Sequence, residues 1–224
     1  MTEYSTVSIL KNSIIFKGVD GKELEKAFET VPLLEKSYVK NQIMINQGEP
    51  VSHIGILKKG SAISVKYHLD GNSQILRLYQ EGEVFSLDTV NTSLATSPAT
   101  LISQTDSAVI YLPYAKLIGD HSLSEPAKEK IMSNCSMILS NELIRLMYKI
   151  DVLSKRTLRE RILTYLSLIG ERSGETCFDI GMNQEQFAQY LCVNRSVLSN
   201  ELNKMRKLGL IDYRGNRYSI FHQE

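Results

Sequence analysis

The stretch "NQEQFAQYLCVNRSVLSNELNKMRKLGLIDYRGNRYSIF", residues 183–221, decides the fold of this 224-residue chain. Asn183 and Gln186 have the spacing of a capping box, in which side chains and backbone satisfy each other at a helix start. Phe187, Ala188 and Leu191 then form the inner face of a short helix. Cys192 and Val193 make a turn, and Asn194 stands where a second helix would be capped. An ordinary amphipathic helix would need only to bury Val197, Leu198, Leu202 and Met205. This one also begins on Asn-Arg-Ser and ends in a basic cluster before Gly209, which asks for a second surface. Two short helices across such a turn are a helix-turn-helix, with the small Ala188 permitting close approach. Arg195, Ser196, Ser199 and Asn200 point away from the stripe on the first two turns, where side chains reach base edges in a major groove. "LIDYRGNRYSIF" reads as a hairpin turning at Gly215-Asn216, flanked by Arg214 and Arg217, which makes a basic wing.

Charge supports that surface. The formal net charge is only +1, but residues 1–120 hold 11 Lys and Arg against 13 Asp and Glu, while Arg195 to Arg217 hold six against two. Arg195 can donate two bonds to guanine O6 and N7; a phosphate clamp or an ion pair with Glu201 are its alternatives. Lys204, Arg206, Lys207 and Arg217 would neutralise phosphates, or merely solvate their face. The expected partner is double-stranded DNA, and Asn194 belongs to the candidate DNA-binding set.

Upstream, Thr157 and Glu160 in "TLRE" form another capping box, so a helix ending near Ser154 is followed by a new one, and residues 154–157 form a hinge. The preceding helix, from Pro126, carries Met132, Leu139, Leu143, Leu146, Ile150 and Leu153, the last five at strict 4-3-4-3 spacing. A 3.5-residue seam is what two helices crossing at a shallow angle bury, which predicts a homodimer; packing within one chain is the alternative. From Tyr38 to Pro113, β-rich runs such as Ile54–Leu57, Ala62–Tyr67 and Gln74–Tyr79 alternate with turn signals, Asp70-Gly71 being the strongest. The spacing predicts a small antiparallel β-roll.

The remaining composition excludes classes. No apolar run reaches the ~18 residues of a bilayer span. The N-terminus does not read as a secretory signal, which predicts a cytoplasmic protein. Cys135, Cys177 and Cys192 lie far apart without C-x-x-C, so buried free thiols are expected rather than a disulfide, zinc or iron–sulfur framework. His53, His68, His121 and His222 form no haem motif, and no P-loop, G-x-S-x-G or H-E-x-x-H suggests an enzyme. No cofactor or metal is expected.

With a β-roll, a dimer-type helix and a winged helix-turn-helix in that order, the whole chain resembles the Crp/Fnr family of bacterial transcription regulators. The roll has the family's glycine punctuation in "INQGEPVSHIGILKKGSAISVKYHLDGNSQILRLYQEGEVFSL", and "NRSVLSNELNKMRKLGLID" looks like its recognition helix and exit. The resemblance implies an α+β fold. Its parts are a cyclic-nucleotide-binding-like jelly roll over 1–120 acting as sensor, a dimerisation helix over 121–154, and a DNA-binding domain over 155–224. It implies a homodimer on an inverted repeat, with RNA polymerase as a further partner. Cyclic AMP-responsive members carry Arg-Glu and a second Arg four residues later in the recognition helix. Here Arg195 matches the first Arg, while Ser196 and Asn200 replace the others, so the operator should keep a guanine contact and differ elsewhere.

The pocket departs further. Cyclic-nucleotide binders of the family use a Gly-Glu pair for ribose and Arg-Ser or Arg-Thr for phosphate; here the aligned positions read Ser86-Leu87 and Ser97-Pro98. No Lys or Arg occurs between Leu78 and Ala115, and a buried phosphate without a cation is costly, so cyclic AMP should not bind. What remains is an unidentified neutral or apolar effector near Leu78, Phe85, Ser86, Leu87, Asp88 and Leu101, or none. A redox switch through Cys135 or Cys192 is the alternative mode of regulation.

Overall fold

Strand-forming runs cut by turn residues build the first half of the chain, and helices joined by capped ends build the second. The computed structural model describes residues 6–69, 71–119, 121 and 123–221, with side chains from residue 9 onward. Contacts divide it into two units. One runs to Asn72 and resumes over Leu76–Glu142; the other comprises Ser73–Ile75 and the chain from Leu143 on.

The first unit opens with α1 (Thr6–Asn12), a 3-10 turn (Ile14–Phe16) and α2 (Gly21–Thr30). Asp20 caps α2 by accepting from the backbone N–H groups of Lys22 and Glu23. The strands are β1 (Leu34–Tyr38), β2 (Ile43–Ile45), β3 (Ile54–Lys59), β4 (Ala62–Tyr67), β5 (Ser73–Tyr79), β6 (Val84–Phe85), β7 (Thr100–Ser103) and β8 (Ser107–Leu112). They form two four-stranded sheets, in the orders β1-β8-β3-β6 and β2-β7-β4-β5. The registered pairs are antiparallel, as the short alternating runs predict. Of the Asp70-Gly71 turn, Asp70 lies outside the described residues, while Gly71 takes φ +83°.

Strand alternation explains why Ile54 to Leu57 of β3 are buried without a break. Ile54 and Ile56 enter one core with Leu10, Phe16, Leu24 and Ile131, whereas Leu57 enters a second with Tyr38, Phe85, Leu101 and Tyr111. Successive strand side chains face opposite ways, so a strand between two cores is buried on both faces. Gly60 turns the chain from β3 in one sheet to β4 in the other at φ +88°, where a Cβ would lie 2.3 Å from Ser107 Oγ and 2.7 Å from the Asp106 carbonyl. No other residue fits that turn without displacing backbone.

After α3 (Leu87–Val90) and α4 (Tyr114–Gly119), α5 spans Glu125–Ser154. Its N-terminal half is tied to the 3-10 turn by buried Asn134, which donates to the carbonyls of Ile15 and Lys17 at 3.0 and 2.9 Å. Among the expected seam residues, Met132, Leu143, Leu146 and Ile150 are exposed, the last three at 64, 51 and 67%. Leu139 is partly buried against the first core, and Leu153 is half-buried.

In the second unit, α6 (Leu158–Ser173) starts at Thr157, where the capping box with Glu160 is formed. It ends at Gly174, in the left-handed conformation expected of a helix stop. Then come β9 (Cys177–Asp179), α7 (Gln184–Tyr190), α8 (Arg195–Lys207), β10 (Ile211–Arg214) and β11 (Arg217–Ile220). The wing hairpin is joined by β9, giving a three-stranded sheet β10-β11-β9. An aromatic cluster holds the unit together: Phe187 packs on Tyr165 at 5.1 Å and on Tyr218 at 5.9 Å between ring centroids. No described helix is long and apolar enough to cross a membrane.

Candidate nucleic-acid interface

The turn between α7 and α8 owes its sharpness to Cys192, which adopts φ +58°, and to the Val193 N–H bonding the Ala188 carbonyl at 3.0 Å. Asn183 and Gln186 form the expected box at the start of α7. Asn194 takes the N-cap backbone position of α8, but its side chain makes no cap hydrogen bond and stays exposed.

Leu198, Leu202 and Met205 of α8 are fully buried. Val197 is not part of that stripe: it is 48% exposed, because one residue before Leu198 turns it about 100° off the core direction. The outward face consists of Ser196, Asn200, Asn203 and Lys207 at 4-3-4 spacing, all exposed. Asn200, Asn203, Lys204 and Lys207 line an open concavity of about 570 Å³. Arg195 is exposed on the first turn, and Ser199 is half-buried on the flank.

Glu201 does not pair with Arg195. It accepts instead from Arg159 Nε of α6 at 2.7 Å, a bond that braces α8 from behind. Among the described residues no ion pair engages Arg195. The wing is braced as well. Arg217 donates to the Cys177 carbonyl at 3.1 Å, Arg206 lies 3.8 Å from Asp212, and Arg214 is exposed at the hairpin end. The Tyr213 hydroxyl donates to Asn203 Oδ1 at 3.2 Å. Neither partner of that bond stands out in the sequence as a site residue, although the 4-3 step from Ser196 through Asn200 to Asn203 was there to be followed.

The arrangement offers an outward polar stripe on a helix held rigidly from behind, with Lys204, Lys207 and Arg214 at its exit. That is the chemistry of base-edge reading beside phosphate neutralisation.

Behind α7, Lys149 of α5 is 7% exposed. Its ammonium donates to the Ile75 carbonyl and lies 4.2 Å from the Tyr190 ring centroid. Burial lowers its pKa to about 8, with the nearby Cys192 sulfur pulling weakly the other way. The three thiols are not uniformly buried. Cys135 is buried and burial pushes its thiol up, Cys177 is half-exposed, and Cys192 is exposed. Hydrogen bonds from Arg217 and Ser219 hold the Cys177 thiol below its ordinary value.

The six candidate effector-pocket residues have different surroundings. Leu87 belongs to the first core, Phe85 and Leu101 to the second, Leu78 and Ser86 are half-buried, and Asp88 is exposed. Phe85 packs edge-on to Tyr79 and Tyr111, with ring centroids 6.0 Å away in both cases. One cation does reach the loop aligned with the phosphate pair, from outside the segment expected to supply it. Lys66 of β4 donates to the Pro98 carbonyl at 2.8 Å, while the Ser97 hydroxyl is spent on the Ala99 carbonyl at 2.6 Å. Among the described residues no cluster of three or more His, Cys, Asp or Glu could hold a metal ion.

Known proteins match the same two halves. Residues 35–119 match the cyclic nucleotide-binding domain family and residues 160–223 the Crp-like helix-turn-helix domain family, together about two-thirds of the chain. Electron transport regulator A of Shewanella oneidensis is 23% identical over 186 residues, covering 81% of this chain and 72% of that protein. The c-di-GMP responsive global regulator CLP of Xanthomonas campestris superposes with a TM-score of 0.74 at 17% identity, over 91% of this chain and all of its own. CooA of Carboxydothermus hydrogenoformans gives 0.72 at 17% identity, over 98 and 93% of the two chains. With the nucleotide-binding-type roll, the long helix and the winged reader in this order, the chain belongs to the Crp/Fnr family of transcription regulators.

Proposed function

We propose that the protein is a homodimeric regulator that reads an inverted-repeat operator through α8 and acts in the bacterial cytoplasm together with RNA polymerase. The observation that carries this reading is the outward stripe of α8, polar and exposed from Ser196 to Lys207 while the opposite stripe is sealed. Arg195 supplies the guanine contact, with Ser196, Ser199 and Asn200 beside it. Asn194, Lys204, Arg214 and Arg217 hold the backbone. The dimer is supported by the exposed Leu143, Leu146 and Ile150, an apolar row that a monomer would leave in water. Two-fold symmetry then sets the half-sites one helical turn, ~34 Å, apart. The test is light scattering at micromolar concentration, followed by binding of the dimer to a duplex it has selected. A monomer that does not dimerise on DNA refutes the reading.

The roll serves as the sensor domain, working without cyclic AMP. Leu87 in place of a ribose-binding carboxylate is buried in the core, and the Ser97-Pro98 pair offers no guanidinium to a phosphate. An effector, if the protein uses one, is small and neutral or apolar. Micromolar cyclic AMP binding in titration calorimetry would overturn this point.

A redox-responsive mode is favoured by one observation: Cys192 is exposed at the turn that aims α8. Cys135 is sealed and poorly suited to it. Thiol titration of the folded protein finding Cys192 inert would dismiss this mode.

A further inference from the structure

We propose that Asn203 is a base-reading residue whose amide is aimed by Tyr213 of the wing, so that the wing orients a specificity contact besides flanking the DNA. The inference rests on the reading of α8 as the DNA-reading helix and names a residue and a hydrogen-bonding preference for it.

The wing strands place Tyr213 directly opposite Tyr218. The two rings stack at 5.5 Å with 16° between their planes, and Tyr218 is fully buried. The Arg206 guanidinium lies 5.5 Å from the Tyr213 centroid. Tyr213 is therefore a fixed post rather than a mobile surface side chain. Its hydroxyl donates to Asn203 Oδ1 at 3.2 Å. An asparagine amide is otherwise free to present either its carbonyl or its NH₂ to a groove. The tyrosine takes up one lone pair of Oδ1 and leaves both Nδ2 donors of Asn203, which lines the concavity with Asn200, Lys204 and Lys207, for a base.

In a major groove, donors select acceptors: guanine offers two, O6 and N7, against one each on thymine (O4) and adenine (N7). Asn203 thus favours guanine. It lies seven residues beyond Ser196 on the same stripe, ~10 Å along the helix axis, so the base it reads is not the one beside Ser196.

The test uses the full chain and selection from a random duplex library, for wild type, Asn203→Ala, Tyr213→Phe and the double variant. Asn203→Ala should lose a guanine preference at one position per half-site, about fivefold in relative affinity, with the Arg195 guanine retained. Tyr213→Phe keeps the ring stack and should weaken the same preference, and it should change nothing further in the Asn203→Ala background. If Asn203→Ala weakens all sequences equally, or leaves every preference intact, the side chain is a backbone contact or a simple brace and the proposal falls. If Tyr213→Phe shifts thermal stability without touching that position, Tyr213 does not orient it. A wild-type chain that selects no sequence overturns the parent reading and this one together, an outcome distinct from both.

Discussion

Lys149→Met tests the buried lysine behind α7 by its pH dependence. The folded pKa, about 8, lies below the ordinary 10.5 because burial disfavours the charged form. In the unfolded chain the amine keeps its proton up to about 10.4, so between about pH 8 and 10 the unfolded state binds more protons and stability must rise with pH. At ~1.36 kcal/mol per pKa unit, the charged lysine costs roughly 3 kcal/mol at pH 7, of which roughly 2 is relieved by pH 10. Tyr190, pushed up to about 12 by its own burial, stays neutral in the fold but begins to ionise in the unfolded chain towards pH 10, an opposing slope that wild type and variant share and that cancels in their difference. Methionine has similar reach and no charge, but it forfeits the bond to the Ile75 carbonyl and the contact with the Tyr190 ring. Urea denaturation at pH 7, 8, 9 and 10 should show wild type gaining roughly 2 kcal/mol relative to the variant. Parallel pH curves would refute the reasoning, since they would mean that Lys149 titrates normally.

Leu146→Glu combined with Ile150→Glu puts charge on two exposed positions of the α5 row and should convert the proposed dimer to monomer in sedimentation without loss of helicity. Thr157→Ala removes the cap accepting from the Glu160 N–H at 3.2 Å and should cost about 1 kcal/mol in chemical denaturation. Gly55→Ala places a Cβ 1.9 Å from the Phe85 ring. It should destabilise by about 1 to 3 kcal/mol, and Phe85→Leu in the same chain should recover part of the loss.

What was legible in the sequence was local. The capping boxes at Thr157 and Asn183 lie within one helical turn, so four residues suffice to identify them, and both are formed. The wing hairpin and the stripe of Leu198, Leu202 and Met205 follow from periods of two and 3.6 in the same way. Val197 is apolar and adjacent to the stripe in sequence, but its direction on the helix places it outside the core. The bond from Arg159 to Glu201 joins residues 42 apart, and no spacing rule selects Glu201's partner over Arg195. The same holds for the addition of β9 to the wing sheet. Of the effector candidates, Leu87 falls in one core and Phe85 and Leu101 in the other, a division that follows from sheet packing and cannot be read from the residues themselves. Asn203 escaped because it is one of many exposed polar residues, and its meaning depends on Tyr213, ten residues away on another element.

The central claim is that α8, presented twice by a dimer, reads DNA sequence. Selection of the purified, ligand-free protein against a random duplex library, sequenced at two salt concentrations, tests it most directly. The account predicts a palindromic consensus with a guanine in each half-site, half-sites about one helical turn apart, and loss of that guanine preference in Arg195→Ala. Weak, salt-sensitive binding with no consensus, or a single unrepeated site, would contradict it.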